Sequence, residues 1–265
     1  MFGGAAAASL YPDLQEDCFF ALASRGVKHI EIFLNTHSEF FPPVLSRIVE
    51  IKREFDIDIT SVHPYTCGIE QMMLFTSYAR RLDDFFEYQK LYFDYMNTLG
   101  ARYFILHGSK PPEKLPEAEI FERFAMLQDL AESFGVTVLQ ENVVRNSSKD
   151  LAKLVRMKDY LGDKAQFVLD TKQARRSGYE PCDHVRALGK NIKHIHFSDA
   201  DKRNDCKMFS PSAENDRFFA ELDKNGYDGA VLLELYHENT PDFVQRLTAN
   251  ALMLDDYLIK KEWEK

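Results

Sequence analysis

Glu141, Asp170, His196 and Glu234 each stand at or near the end of a short apolar run, in VTVLQEN, QFVLDT, IKHIHFSD and AVLLELY. Carboxylate oxygens and an imidazole nitrogen make a hard, oxygen-rich donor set, suited to Mn²⁺ or Mg²⁺, with Co²⁺ and Zn²⁺ as the other candidates. A lone strand-end acid can simply pair with a loop Lys or Arg, but three buried acids together need a cation to hold their charge. Earlier runs end in the same way: KHIEIF carries Glu31, ITSVHP carries His63 and YFILHG carries His107. His63 and His107 suit ligation of a second metal or hydrogen bonding to substrate hydroxyls, with a hydrogen-bonded rim histidine as the structural alternative. Glu31 is a weaker candidate for the same substrate rim. His194, two residues before His196, is read as pointing to the opposite face of its strand and as structural. His29, His37, His184 and His237 have no strand-end placement and are given no role.

These residues need elements that bring them together. The runs are rich in Val, Ile, Leu and Phe, as strands buried on both faces are. A first strand is expected at 3–8, in the small-residue stretch GGAAAAS. Helical patterns alternate with the strands: from Pro12-Asp13 to Ser24, from Pro42-Pro43 to Phe55, from Ser77 to Leu99, and from Pro116 to Phe134. They continue from Ser148 as a cap to Leu161, over His184–Leu188, from Pro211 to Lys224, and from a Thr240-Pro241-Asp242 start onward. Strict alternation implies parallel strands, because each helix must cross back over the sheet. An open doubly wound sheet would draw its ligands from two or three strands at a switch point. Here the polar residues are spread over strands two to eight, which only a closed barrel brings to one axis. The expectation is one (β/α)₈ barrel domain over residues 1–265, close to the usual barrel size of about 250 residues. The aromatic stretch 77–99 is expected to be a helix packed on that barrel.

Composition narrows the class. The formal charge of −9 argues against a nucleic-acid groove, which needs a basic face. No run approaches the ~20 apolar residues that span a bilayer, and the start, MFGGAAAASLYPD, lacks the basic region of a signal peptide. Cys18, Cys67, Cys182 and Cys206 show no paired spacing; Cys18 falls in a helical pattern and the others in loops. Free thiols in a reducing cytoplasm are expected, with a small-molecule substrate and neither nucleic acid nor membrane as partner.

The ordered motifs GVKHIEIF, SVHPY, LHGS, QEN, VLDTKQ, HIHFSD and GYDG leading to LLE resemble the xylose isomerase-like TIM-barrel superfamily of sugar isomerases, epimerases and dehydratases. The resemblance covers nearly the whole chain. It implies that Glu141, Asp170, His196 and Glu234 bind one divalent metal and that Glu141 and Glu234 are also the acid/base pair. Its reaction would be isomerisation or epimerisation of a small sugar or related polyhydroxy carbonyl compound, by proton transfer through an enediolate. Loss of a β-hydroxyl from a cyclic polyol ketone or keto acid would make it a dehydratase instead, and a lapsed catalyst would be a sugar-binding barrel. His63, His107, Glu31, Gln173 and Lys202 are the residues expected to hold substrate. Gln173 stands where the family has a histidine, three residues after the strand-six Asp, and it cannot shuttle a proton. Ser147 and Lys202 stand where ketose 3-epimerases have Glu and Arg. Lys110, Arg145 and Lys172 are loose candidates for a phosphate. A homo-oligomer is compatible with all of this.

Overall fold

The structure, a computed structural model, describes residues 1–261. Eight parallel strands close in chain order: β1 (Phe2–Ala6), β2 (His29–Phe33), β3 (Asp58–His63), β4 (Tyr103–Leu106), β5 (Thr137–Glu141), β6 (Phe167–Asp170), β7 (Ile192–Phe197) and β8 (Ala230–Leu233). β1 pairs with both β2 and β8, so the sheet has no free edge. Around it lie α1 (Gln15–Ala23), α2 (Val44–Phe55), α3 (Glu70–Met73), α4 (Ala79–Leu99), α5 (Glu117–Ser133), α6 (Leu151–Leu161), α7 (Thr171–Arg176), α8 (Pro181–Leu188), α9 (Ala213–Lys224) and α10 (Phe243–Lys260).

Residues two apart on a strand share a face. Ile105, Leu139 and Val168 form a small apolar cluster separate from the main core. It is the floor of the barrel interior, and His107, Glu141 and Asp170 stand two residues further along the chain, at or just past the ends of the same three strands. The main core lies between strands and helices, where α4 contributes Phe85, Tyr92, Phe93, Met96 and Leu99, and α5 contributes Phe121, Phe124 and Leu127. Each such burial stabilises the fold by about 1.5–3 kcal/mol. α4 ends at Gly100, whose φ of 69° is a left-handed conformation that costs glycine nothing.

The small residues of β1 have a packing cause. A Cβ on Gly3 would lie 2.5 Å from the backbone nitrogen of Asp255 in α10, and one on Gly4 would lie 2.0 Å from the carbonyl oxygen of His29. Gly3 also donates its N–H to the Asp255 carboxylate at 2.8 Å.

Several element boundaries differ from the sequence expectation. β1 stops at Ala6 and a 3₁₀ turn occupies Ala7–Leu10, while α1 begins at Gln15 rather than Pro12. Asp150, not Ser148, caps α6, accepting from the Ala152 N–H at 3.0 Å. The Ser148 hydroxyl is engaged elsewhere, accepting from the Val143 N–H and donating to the His107 carbonyl. The final helix starts at Phe243, and Thr240-Pro241-Asp242 forms the turn before it, with the Thr240 carbonyl accepting from the Phe243 N–H. α7 has no counterpart in the sequence reading, because it leaves β6 with no intervening loop. Cys182 lies in α8 rather than a loop, and all four cysteines are free. Among the described residues no helix is long and apolar enough to cross a membrane.

Candidate metal centre

Glu141, Asp170, His196 and Glu234 come together at the C-terminal mouth of the barrel, where one ligand atom from each lies within 4.8 Å of the others. Register explains it: His196 is level with Asp170 on β6 and with Leu232 on β8, two residues before Glu234. Asn142 ties β5 to β6 by a reciprocal pair, its Nδ2 donating to the Asp170 carbonyl at 3.0 Å and its Oδ1 accepting from the Asp170 N–H at 2.7 Å. The Asp170 side chain caps α7, with Oδ1 accepting from the Gln173 N–H at 2.9 Å. That bond fixes the carboxylate and leaves Oδ2 without a hydrogen bond.

The His107 loop is held as firmly. Glu70 accepts from the Gly108 N–H at 2.6 Å, and the amides of Gln140 and Asn146 both donate to the His107 carbonyl at 3.0 Å. Gly108 has φ of 84°, and a Cβ there would strike the Gln140 amide at 2.7 Å, so the position requires glycine.

A chain of hydrogen bonds crosses the centre. His107 Nε2 lies 3.0 Å from Glu141 Oε2 and 2.8 Å from His63 Nε2. Glu141 Oε1 lies 3.3 Å from His196 Nδ1, and Glu234 Oε2 lies 3.3 Å from the same nitrogen. His196 Nε2 faces Glu31 Oε2 at 2.9 Å, so this N–H donates to Glu31 and Nδ1 is the nitrogen turned toward the acids, the one that would ligate an ion on losing its proton. Ser61 also donates to Glu31 Oε2, at 2.7 Å.

The electrostatics follow from burial against partners. Burial opposes ionisation of Glu141, but the hydrogen bonds from His107 and His196 outweigh it and hold the carboxyl below its usual range. Burial likewise opposes ionisation of Glu234, and Lys172 and His196 overcome it. Burial, reinforced by Glu234 and Glu141 and opposed by Lys172, pushes Asp170 up to about 7. Burial and the neighbouring His107 push His63 down to about 4. Burial disfavours charge on His196, yet Glu31 and Glu234 raise it well above the ordinary histidine value. Among the described residues Asp170 Oδ2 and Glu234 Oε2 are buried oxygens with no hydrogen-bond partner. Their near neighbours are cationic, Lys172 Nζ at 3.6 and 3.8 Å and His196 Nδ1 at 3.3 Å from Glu234 Oε2, and buried carboxylate oxygens with so little hydrogen bonding suit a cation.

The remaining expected residues divide. His63 and His107 reach the cluster and, with Cys67, form a second compact donor set. Glu31 does not stand at a rim; it is completely buried beneath His196. His194 does not face away from His196. The two share the inward face, with ring centroids 5.2 Å apart, because residues two apart on a strand point the same way, and Ser61 Oγ lies 3.2 Å from His194 Nε2. Gln173 turns its Oε1 to the Val144 N–H at 3.0 Å, clamping the loop after β5. Lys202 is exposed on the loop after β7 and meets none of the cluster residues.

Lys172 is the group that sequence reasoning underrated. Its side chain is 5 % exposed, with Nζ 3.6 Å from Asp170 Oδ2 and 3.8 Å from Glu234 Oε2. Its position, two residues after a strand-end acid in the first turn of a helix, was the available signal. A cleft of about 430 Å³ opens beside it, lined also by Tyr11, Phe33, Asn35, Tyr65, Glu234 and Tyr236.

A closed parallel barrel that gathers acids and imidazoles at the C-terminal ends of its strands defines a (β/α)₈ barrel with a candidate metal centre. More particularly, the chain belongs to the family described as Xylose isomerase-like TIM barrel, whose profile matches residues 19–256. No curated protein matches the sequence at a significant level. Among solved structures the chain is similar to a D-tagatose 3-epimerase-like protein, with a TM-score of 0.77 and 17% identity over 98% of this chain and 97% of that one. It is similar to the probable 3-DHS dehydratase AsbF of Bacillus anthracis, with a TM-score of 0.72 and 17% identity over 94% and 98%. It is also similar to the IOLI protein with a bound zinc atom, with a TM-score of 0.72 and 18% identity over 100% of both chains.

Proposed function

We propose that the protein is a divalent-metal-dependent isomerase or epimerase of a small sugar or related polyhydroxy carbonyl compound. The observation that carries this reading is the four-residue cluster itself, Glu141, Asp170, His196 and Glu234 with one ligand atom each within 4.8 Å of the others, in which Asp170 Oδ2 and Glu234 Oε2 are buried without a hydrogen bond. Those four residues would hold the ion, and three carboxylates with one imidazole favour Mn²⁺ or Mg²⁺. When bound, such an ion supplies Lewis acidity to a substrate carbonyl and so acidifies the neighbouring C–H.

The chain's own groups do the proton transfer. Glu141 and Glu234 are both held ionised, so either can accept the proton from carbon, while the C–H electron pair moves toward the carbonyl oxygen. Return of the proton to the adjacent carbon isomerises, and return to the opposite face of the same carbon epimerises. His107, held protonated by Cys67 and Glu141 against the effect of burial, would turn its Nε2–H from Glu141 to a substrate hydroxyl, with His63 behind it. Gln173 accepts from the Val144 N–H through Oε1, so it would have only its amide hydrogens to offer a substrate and cannot titrate.

A second reading, dehydration of a cyclic keto acid, is favoured by the buried ammonium of Lys172 at the cleft wall. The same pair of glutamates would serve it. Incubation of the Mn²⁺-loaded protein with ketoses and cyclic keto acids in D₂O separates the readings. Deuterium in recovered or isomerised sugar supports proton transfer, and an enone chromophore supports dehydration. Turnover that survives Glu141→Gln undiminished would overturn the acid/base assignment.

A further inference from the structure

Lys172 has no hydrogen bond from its ammonium among the described residues. Its near neighbours are two carboxylate oxygens at 3.6 and 3.8 Å and the face of Tyr236, whose centroid is 4.9 Å away. Arg176 lies over the same Tyr236 ring at 5.3 Å but is already paired to Asp205. A buried ammonium carries three N–H donors and ordinarily satisfies them. Here the donors border the cleft that also exposes Glu234. The two oxygens nearest to Lys172, Asp170 Oδ2 and Glu234 Oε2, lack hydrogen bonds and belong to the residues assigned above to a divalent ion. An ammonium and a divalent cation on the same oxygens repel each other, and the cleft is the open side toward which a flexible four-carbon stem can turn.

We propose that Lys172 is a specificity-determining residue that selects a substrate bearing a carboxylate next to its chelating oxygens, a keto acid or sugar acid rather than a neutral ketose. In the metal-free protein the ammonium stands against the Asp170 and Glu234 carboxyl groups. With the ion bound, those acids are neutralised by the ion and the ammonium is left for an incoming anion. Tyr11, Tyr65 and Tyr236 give the cleft flat walls for a ring or carbon chain, and Asn35 adds an amide at its edge. This inference rests on the metal reading of the four-residue cluster.

The test is calorimetric and does not depend on turnover. Mn²⁺ is titrated first into wild type, Lys172→Met and Lys172→Gln. The Mn²⁺-loaded proteins are then titrated with 2-keto-D-gluconate and with D-fructose as matched charged and neutral probes. Wild type is expected to bind the acid about tenfold more tightly or better, the value of a charge-assisted hydrogen bond. Both variants are expected to lose that preference while binding Mn²⁺ at least as tightly, because a competing cation has been removed. A wild type that binds Mn²⁺ but does not prefer the acid overturns the Lys172 assignment alone, and so does a preference that survives in the variants. A wild type that binds no Mn²⁺ overturns the metal centre and this inference with it.

Discussion

Replacing Glu31 by Gln isolates the support beneath the metal centre. Glu31 Oε2 accepts from His196 Nε2 at 2.9 Å and from Ser61 Oγ at 2.7 Å, in a position completely shielded from solvent. The carboxylate therefore fixes a proton on Nε2 and turns Nδ1 to the acids, where it would ligate the ion on losing its own proton. An amide of the same shape keeps the volume but withdraws the negative charge, and its NH₂ can compete for the wrong ring nitrogen. Loss of a partner of this kind costs roughly 10–100-fold in metal affinity, which is about 1.4–2.7 kcal/mol. Mn²⁺ binding followed by calorimetry and by the EPR signal of the free ion measures it. Glu31→Gln should raise the Mn²⁺ dissociation constant by about tenfold or more, with the folded circular dichroism spectrum retained. If Glu31 instead contacted substrate, Mn²⁺ affinity would be unchanged and only the substrate KM would move; that result would refute the reasoning.

Further perturbations test neighbouring parts of the same site. Glu141→Gln and Glu234→Gln should each lower deuterium incorporation from D₂O by about 10²-fold or more, since each removes a proton acceptor; mass spectrometry of recovered sugar reads this. Asn142→Ala removes the reciprocal pair to the Asp170 backbone, at a cost of about 2 kcal/mol, seen as a lowered denaturation midpoint at unchanged m-value. Asp170 is raised from its ordinary value to about 7 by burial and by Glu234 and Glu141, against Lys172. The folded metal-free protein thus binds this proton more tightly than the unfolded chain, so its contribution to stability is full below the unfolded pKa and is lost as pH rises toward 7. Thermal melts with and without Mn²⁺ should show the metal-free protein losing this contribution across that window, with Mn²⁺ opposing the loss as the competing proton leaves.

The strands and their terminal acids were legible because a core strand has no packing use for a carboxylate. Alternation of strand and helix then gave the barrel. The partnerships were not legible. His196 and Glu31 meet across 165 residues of chain, and only closure of the barrel sets their register. Lys172 and α7 were hidden for a related reason. Asp170 ends β6 and caps the next helix at once, so no turn residues mark a helix start. His194 differs from these, since the period of a strand alone places residues 194 and 196 on one face. For Gln173 the position marks a substrate group, but the contact of its carbonyl with the Val144 N–H depends on two loops meeting and is not readable from sequence.

The central claim is that Glu141, Asp170, His196 and Glu234 together hold one divalent ion. Crystals grown with Mn²⁺ and measured on both sides of the manganese absorption edge test it directly. The expected result is an anomalous peak bonded to Glu141, Asp170, Glu234 and the Nδ1 of His196. Absence of a peak among those four residues, with the ion instead confined to His63, Cys67 and His107 or bound nowhere, would contradict it.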